Sequence, residues 1–471
     1  MFTLDDLLEG THGELVSGSP EATFRAISID SRTTAEGDLF VAFRGQAHDG
    51  HHFVAHALER GAAGALVEIL PSSQPWASSA QPHPPIVLCR GTAEALADLA
   101  RYWRQRHDLT VVGVTGSVGK TTTKEMIASL LGSRMTVLRS PANYNTEIGL
   151  PMTMMQLEPC HRAAVLEMGM HRLGDIRRLA QIAKPQIGVV TNVHPTHLER
   201  LGTIARIAQA KRELIEELPT GGFALLNADD PRVSRMRAHA PCAVLTFGMT
   251  PSADIWASDV VSRGLGGTEF SVHFAGQQVR SGLSIPGRHV IHAALAAIGV
   301  AIQLGMPFSE ATARIRGLEI SIDGRLQRIP GPNHSTLLND AYNASPTSML
   351  AALDLLAETE GRHIAVLGDM LELGSFEREG HRIVGRRAAR TVDRLIAVGP
   401  RSEEIAHAAS AAGLSPATIQ RFSSPEDAIE AIAREIQPGD VVLIKGSHGV
   451  RLDRIVEALR SPDADRTGRP S

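Results

Sequence analysis

The run T-G-S-V-G-K-T-T-T, residues 115–123, carries the sharpest chemical signal in the chain. A β-branched stretch precedes it, and a helical pattern with Ile127, Leu130 and Leu131 follows. In that setting the run predicts a phosphate-binding loop. Gly116 and Gly119 let backbone N–H groups crowd an anion, and the helix that opens next adds the partial positive charge of its N-terminus. The candidate nucleotide contacts are therefore Thr115, Gly116, Ser117, Val118, Gly119, Lys120, Thr121 and Thr122. Lys120 is long enough to reach outer phosphates, and the Thr121 hydroxyl suits Mg²⁺. Val114 stands where the general pattern has Gly or Ala, so the loop is a variant of that pattern. The bland alternative is a Gly-rich turn that merely opens a helix. Even read as a phosphate loop, the run says that a nucleotide binds and not what is done with it.

Three further residues could complete such a site. Glu167 ends the apolar run A-A-V-L-E, and α/β sheets bind ligands at the C-terminal ends of their strands. His197 lies in T-N-V-H-P-T-H-L-E-R, with His194 as a competitor for any role. Lys211 lies in I-A-Q-A-K-R-E-L. Each has an ordinary explanation: a solvated strand-end acid, a helix-cap histidine, and a solvated helix lysine whose stem covers apolar surface. Together, Thr121, Glu167 and His197 supply the oxygen ligands and the one imidazole that a hard divalent ion accepts.

These residues need a scaffold. The chain has 471 residues, which suits two or three domains. Hydrophobic residues make up 43% and aromatics only 4%, so aliphatic side chains must fill the cores. The 47 basic and 51 acidic residues nearly balance, and composition gives no support to nucleic-acid binding. Cys89, Cys160 and Cys242 have neither disulfide nor zinc spacing, as in a reducing compartment. The acidic start M-F-T-L-D-D does not resemble a signal peptide, and no apolar run approaches a membrane span, so a cytoplasmic chain without membrane insertion is expected.

Residues 1–107 predict a small α/β domain, with strands at 26–30, 38–43, 64–68 and 86–88, and helices at 53–60 and 92–107. Residues 71–85, rich in Pro, Ser and Ala, predict a surface loop. Residues 108–321 predict a central P-loop domain with a parallel sheet: strands at 110–116, 163–166, 187–190 and 223–226 alternate with helices, and a β excursion occupies 250–285. Residues 322–460 predict a Rossmann-like doubly wound domain, with strands around 337–338, 364–367, 395–398 and 441–444. In it, Ser345 caps a helix that Pro346 begins. A disordered tail is expected over 461–471.

The ordered set of motifs resembles the Mur ligases. It runs D-S-R-T-T-A-E-G-D-L-F-V-A-F-R-G-Q-A-H-D-G-H-H-F (30–53), T-G-S-V-G-K-T-T-T-K-E-M-I (115–127), N-Y-N-T-E-I-G-L-P-M-T-M (143–154), E-M-G-M (167–170), N-V-H-P-T-H-L-E-R-L-G-T (192–203), A-K-R-E-L-I (210–215), P-G-R-H (286–289), G-R-L-Q (324–327), N-D-A-Y-N-A-S-P-T-S-M (339–349), L-G-D-M-L-E-L-G (367–374) and K-G-S-H-G-V-R-L-D-R-I-V-E-A-L (445–459). The match spans almost the whole chain. It departs from the family pattern at Val290 and Ala293, where asparagines are common near adenine, and at His171, where Asn is common.

The resemblance implies three domains: the first holding a UDP-linked sugar peptide, the second ATP, the third closing over the site with the incoming amine. It implies a carbamylated lysine at Lys211 that helps hold a second Mg²⁺, with catalytic and metal roles for Lys120, Thr121, Glu167, His197 and Lys211. Arg325 and Asp340 resemble residues that reach the γ-phosphate and ribose; an interdomain ion pair is their bland alternative. Ser31 and Arg32 resemble uridine-diphosphate contacts, and Asp49, Gly50 and His51 share their motif. Asn145 and Thr146 resemble contacts to the sugar peptide. A ligand-free strand and turn would explain the first-domain residues locally. The segments 367–374 and 342–349 resemble the family's D-alanyl-D-alanine-adding type. The implied reaction is therefore ATP-dependent ligation of D-alanyl-D-alanine to UDP-N-acetylmuramoyl-tripeptide through an acyl phosphate, by a monomer. Another amino-acid ligase of the same type and a P-loop ATPase switch are the alternatives.

Overall fold

In the computed structural model, residues 1–45, 48–70, 83–141, 143–318, 320 and 322–461 are described. Residues 71–82 of the expected loop and 462–471 of the expected tail lie outside them. The fold is α/β throughout, with three main sheets that follow one another along the chain.

The first sheet has five strands, in the order Glu14–Ser17, Ile86–Leu88, Gly64–Val67, Leu39–Val41 and Ile27–Ser28. All neighbours are parallel except the first pair. The strands are shorter than the apolar runs suggested. The helix Leu4–Thr11 and the short strand pair Phe2–Thr3 with Thr23–Phe24 were not expected. Thr3 and Asp6 cap that helix reciprocally, each side chain meeting the other's backbone N–H. Helix Thr92–Gln105 then leaves the region and anchors it to the next. Trp103 donates its indole N–H to the Leu157 carbonyl at 3.2 Å, and the Arg104 guanidinium reaches the Ala183 and Leu109 carbonyls, both at 3.1 Å.

The central sheet has nine strands. Seven are parallel, in the order Val137–Arg139, Ala163–Glu167, Thr110–Thr115, Ile187–Val190, Phe223–Asn227, Ala243–Gly248 and Ile255–Ser262. The stretch expected as a separate β excursion continues this sheet: Thr268–Phe274 and Gln277–Leu283 add two antiparallel strands at the same edge. The middle strands are buried on both faces, which is why they read as unbroken aliphatic runs. Helix Val290–Gln303 is apolar on nearly all sides and packs inside this domain. Val290 and Ala293 are buried core residues of that helix.

The third sheet has six strands, in the order Gln327–Pro330, Thr336–Asp340, Val441–Lys445, His363–Gly368, Arg394–Val398 and Ile419–Phe422. Only the first pair is antiparallel. Ser345 caps helix Pro346–Ala357 as expected. Among the described residues, no helix is long and apolar enough to cross a membrane.

The phosphate loop shows why two of its positions are glycine. A Cβ on Gly116, at φ +156°, would lie 1.8 Å from Thr191 Oγ1, whereas one on Gly119, at φ +83°, would meet nothing within 4 Å. Gly116→Ala should therefore destabilise the ligand-free protein by about 2–3 kcal/mol through overpacking. Gly119→Ala should cost only about 1 kcal/mol of left-handed backbone strain. Urea unfolding of the two variants checks this; equal losses would contradict the steric assignment.

Candidate active site

The loop 115–120 joins strand Thr110–Thr115 to helix Lys120–Gly132. A second segment, from the end of strand Ile187–Val190, holds it in shape. Asn192 accepts the Val118 N–H on its side-chain oxygen at 2.9 Å and returns a bond from its amide nitrogen to the Val118 carbonyl, also at 2.9 Å. Thr191 Oγ1 donates to the same carbonyl at 2.8 Å. The Ser117 hydroxyl donates to the His194 carbonyl and accepts the His194 N–H, at 3.0 and 2.9 Å. These bonds order the loop before any ligand arrives.

Glu167 ends strand Ala163–Glu167, the neighbour of the loop's own strand, and is 3% exposed. The Thr121 hydroxyl donates to its Oε2 at 2.7 Å, and the Asn145 amide donates to its Oε1 at 2.8 Å. Its backbone N–H is received by Ser140 Oγ at 3.0 Å, and the Lys124 ammonium donates to the Ser140 carbonyl at 2.5 Å. The Glu167 carboxylate is thus fixed from both sides. Asn145, expected at the sugar peptide, is bonded here to Glu167, while Thr146 accepts the Gly149 N–H at 3.2 Å and is otherwise exposed.

Two cations face this one carboxylate. Lys120 folds back to the Gly116 carbonyl at 3.1 Å. Burial lowers its ammonium pKa; Glu167 opposes that shift and Arg325, from the third region, adds to it. Lys211 is 2% exposed and, among the described residues, its ammonium makes no hydrogen bond or ion pair. Burial and the neighbouring Lys120 push it well below its ordinary range, with Glu167 opposing. A lysine in this state is a neutral amine more readily than a surface lysine is.

The third region closes the cleft. The Arg325 guanidinium stacks over the Tyr342 ring, 4.6 Å from its centroid. Asp340 sits at a strand end beside Lys445, 2.6 Å from its ammonium, and accepts the Leu326 N–H at 3.3 Å. On the other side, His197 of the central region meets Glu372. Its Nδ1 lies 2.5 Å from Glu372 Oε2, and the Glu199 N–H reaches the Glu372 carbonyl at 3.3 Å. Both partners adopt left-handed backbone, His197 at φ +57° and Glu372 at φ +63°, a conformation uncommon for side-chain-bearing residues. With Nδ1 so engaged, Nε2 is the ring nitrogen left for any ligand.

Can these residues hold magnesium? Among the described residues, no group of three or more His, Cys, Asp and Glu forms a cage for a metal ion. Magnesium does not require one: it commonly takes one or two protein oxygens, substrate phosphates and water. Thr121 spends its proton on Glu167, so the lone pairs of its oxygen stay available, and each Glu167 oxygen retains acceptor capacity beyond its one hydrogen bond. The donor set fits.

The first-region candidates form a separate group. Ser31 Oγ lies 3.0 Å from His56 Nδ1. Arg32 forks onto Asp30, at 2.9 Å from Nε and 2.7 Å from Nη2. Asp49 Oδ1 accepts the His51 N–H and lies 2.6 Å from its Nδ1, while His51 Nε2 accepts the Glu68 N–H at 2.9 Å. His51 therefore spends both ring nitrogens inside the fold. A Cβ on Gly50 would come within 2.8 Å of the Phe43 backbone, so that glycine is required for close approach. Among the described residues, no hydrogen bond or ion pair joins this group to the phosphate loop.

Comparison with known proteins places all three regions in one family. Residues 114–301 match the Mur ligase middle domain, residues 324–448 the Mur ligase glutamate ligase domain, and residues 23–104 the Mur ligase family catalytic domain. The UDP-N-acetylmuramoyl-tripeptide–D-alanyl-D-alanine ligase of Synechocystis sp. is 36% identical over 469 residues, 98% of this chain and 97% of its own length. That of Bacillus subtilis is 34% identical over 467 residues, 97% of this chain and 98% of its own. The chain belongs to the Mur ligase family. Solved Mur ligases agree with it in three dimensions. MurF from Acinetobacter baumannii has a TM-score of 0.86 at 27% identity, covering 97% of this chain and 98% of that one. MurF from Thermotoga maritima, solved in complex with ADP, has a TM-score of 0.78 at 31% identity, covering 92% and 96%.

Sequence reasoning about this Mur ligase did not single out Asn192, Ser140, Lys124, Tyr342, Lys445 or Glu372. All but Ser140 lay inside the motifs, but nothing in their spacing names a partner far away in sequence. One site in the first region is open to a direct pH test. The Arg32 side chain, then its backbone N–H, hold the Asp30 carboxyl down at about 2 from an ordinary 3.8. Because the folded value is the lower one, the pair stabilises the fold above pH 3.8 and this contribution is lost as pH falls through about 2. Arg32→Ala should return Asp30 towards 3.8, read by carboxyl ¹³C NMR on aspartate-labelled protein; an unmoved titration would show that Arg32 is not its partner.

Proposed function

We propose that this chain ligates D-alanyl-D-alanine to UDP-N-acetylmuramoyl-tripeptide in the cytoplasm, using ATP. The observation that carries the reading is an ATP site built from two regions, with Arg325 of the third region brought within electrostatic reach of Lys120 in the phosphate loop. Full-length similarity to ligases with that substrate pair supports the choice of substrates. In this reading residues 1–107 hold the UDP-sugar peptide, residues 108–321 bind ATP and residues 322–460 bring the dipeptide.

The tripeptide's terminal carboxylate is a poor acyl donor, because oxide is its leaving group. Its oxygen takes the γ-phosphoryl group of ATP, releasing ADP and giving an acyl phosphate. The dipeptide's amine then attacks the acyl carbon. The C–N bond forms, the amine gives up a proton, and phosphate departs with the C–O electron pair. The first step brings anions together, so charge neutralisation and alignment dominate it. Lys120 and Arg325 supply fixed positive charge from opposite sides of the cleft. Asn145 and Ser140 hold Glu167 in place, and the Tyr342 ring orients Arg325. Bound Mg²⁺, held by Thr121, Glu167 and His197, would neutralise phosphate charge. Carbamylation of Lys211 fits its surroundings. It is a buried amine, depressed in pKa and without a partner, and CO₂ would turn it into an anionic oxygen ligand beside Lys120.

The first test is phosphate release from Mg-ATP and UDP-N-acetylmuramoyl-tripeptide, with and without D-alanyl-D-alanine. Release should require both acceptor and tripeptide, with the pentapeptide product seen by mass spectrometry. Release indifferent to the dipeptide would mark an ATPase switch instead. A single amino acid replacing the dipeptide would keep the mechanism and change the family member. For the carbamate, Lys211→Ala should lower turnover about 100-fold, as loss of a metal-site support does, and formate or acetate should restore part of it. Absence of rescue, together with an unmodified Lys211 in the mass spectrum, would remove the carbamate from the mechanism.

A further inference from the structure

Helix Ile204–Glu216 has a second face. Lys211 points from it into the ATP site, and on the adjoining flank a cavity of about 500 Å³ opens against residues 231–239. Its floor is apolar, with Ile204, Ala208 and the buried Met236. Arg212, Arg232 and Arg235 line it, and no acidic residue does. Arg212 is already neutralised, 2.6 Å from Glu216, and its guanidinium lies 3.2 Å from His239 Nε2. Arg232 and Arg235 are different: among the described residues neither guanidinium group has a hydrogen bond or an ion pair. Most other arginines of the surface are matched to acids, Arg177 to Glu216 and Glu217, Arg378 and Arg382 to Glu404. Two unmatched guanidinium groups over an apolar floor, in a cavity sized for a small ligand, are complementary to an anion with a compact apolar body.

We propose that this cavity is a second ligand site, separate from the ATP cleft, that takes a small organic phosphate: a phosphate dianion bound by Arg232 and Arg235, with its apolar portion on Ile204, Ala208 and Met236. Both walls connect to the ATP site. Lys211 projects from the same helix, one turn on from Ala208. Asp230, which caps the segment carrying Arg232, accepts the Val193 N–H at 2.7 Å, next to the His194 that Ser117 of the phosphate loop binds. The site stands or falls independently of which reaction the cleft performs.

The test uses the full chain with saturating Mg-ADP, so that the phosphate loop is filled, and titrates phenyl phosphate by calorimetry. One phenyl phosphate should bind per chain, at least tenfold more tightly than inorganic phosphate or phenol. The double variant Arg232→Glu/Arg235→Glu should weaken it by tenfold or more. Ala208→Trp, which fills the floor and leaves both arginines, should abolish it. Basal ATP turnover should stay within about twofold in both variants, as expected of positions outside the cleft, which shows that they fold. No binding to the wild-type chain, binding that Mg-ADP displaces, or binding unchanged in both variants would each overturn the proposal.

Discussion

The constraint that organises this molecule is electrostatic: the half-buried Lys120 and the buried Lys211 are gathered around a single carboxylate, Glu167. Burying a cation is tolerable only when it is paired or neutralised. Here one anion serves two lysines, and a guanidinium from another region lies within reach of the same loop. The protein alone leaves this centre short of negative charge, and a nucleotide triphosphate brings what is missing. Much of the surrounding structure then makes sense as support for the one fixed anion. Ser140 and Asn145 hold Glu167, Lys124 holds Ser140, and Thr191, Asn192 and His194 hold the loop that carries Lys120.

The sheet architecture delivers these groups to one place. Glu167 and the phosphate loop leave adjacent parallel strands at their C-terminal ends, and Thr191–His194 leaves the strand on the other side. The third sheet repeats the arrangement, with Asp340 and Lys445 at the ends of adjacent parallel strands. Two crevices of the kind that open α/β sheets present to ligands therefore face a common cleft.

Much of this was legible in the sequence, and the failures have physical causes. The phosphate loop was readable because its chemistry is local: glycines, Lys and Thr must sit in order between a strand and a helix. Glu167 was readable because the apolar run placed it at a strand end. Lys211 looked ordinary beside Arg212 and Glu213, yet Ile207, Lys211 and Leu214 share one face at helical spacing, and that phase carries the burial signal. Asn145 and His51 have partners in the fold that their motifs do not name. Their partners, Glu167 and the Glu68 backbone, are set by tertiary contacts that no spacing records. The short strands of the first region were overextended because their apolar runs continue into turns, and the extra strands of the central sheet alternate too weakly to announce that they join it.

The contact between His197 and Glu372 has a thermodynamic corollary. The imidazole belongs to the central region and its carboxylate partner to the third, so the ring has this partner only when the two regions are docked. Whatever favours docking thereby narrows the orientations of His197, and whatever binds His197 in that orientation favours docking by the same free energy. Loading of the two halves is linked in both directions across a single hydrogen bond.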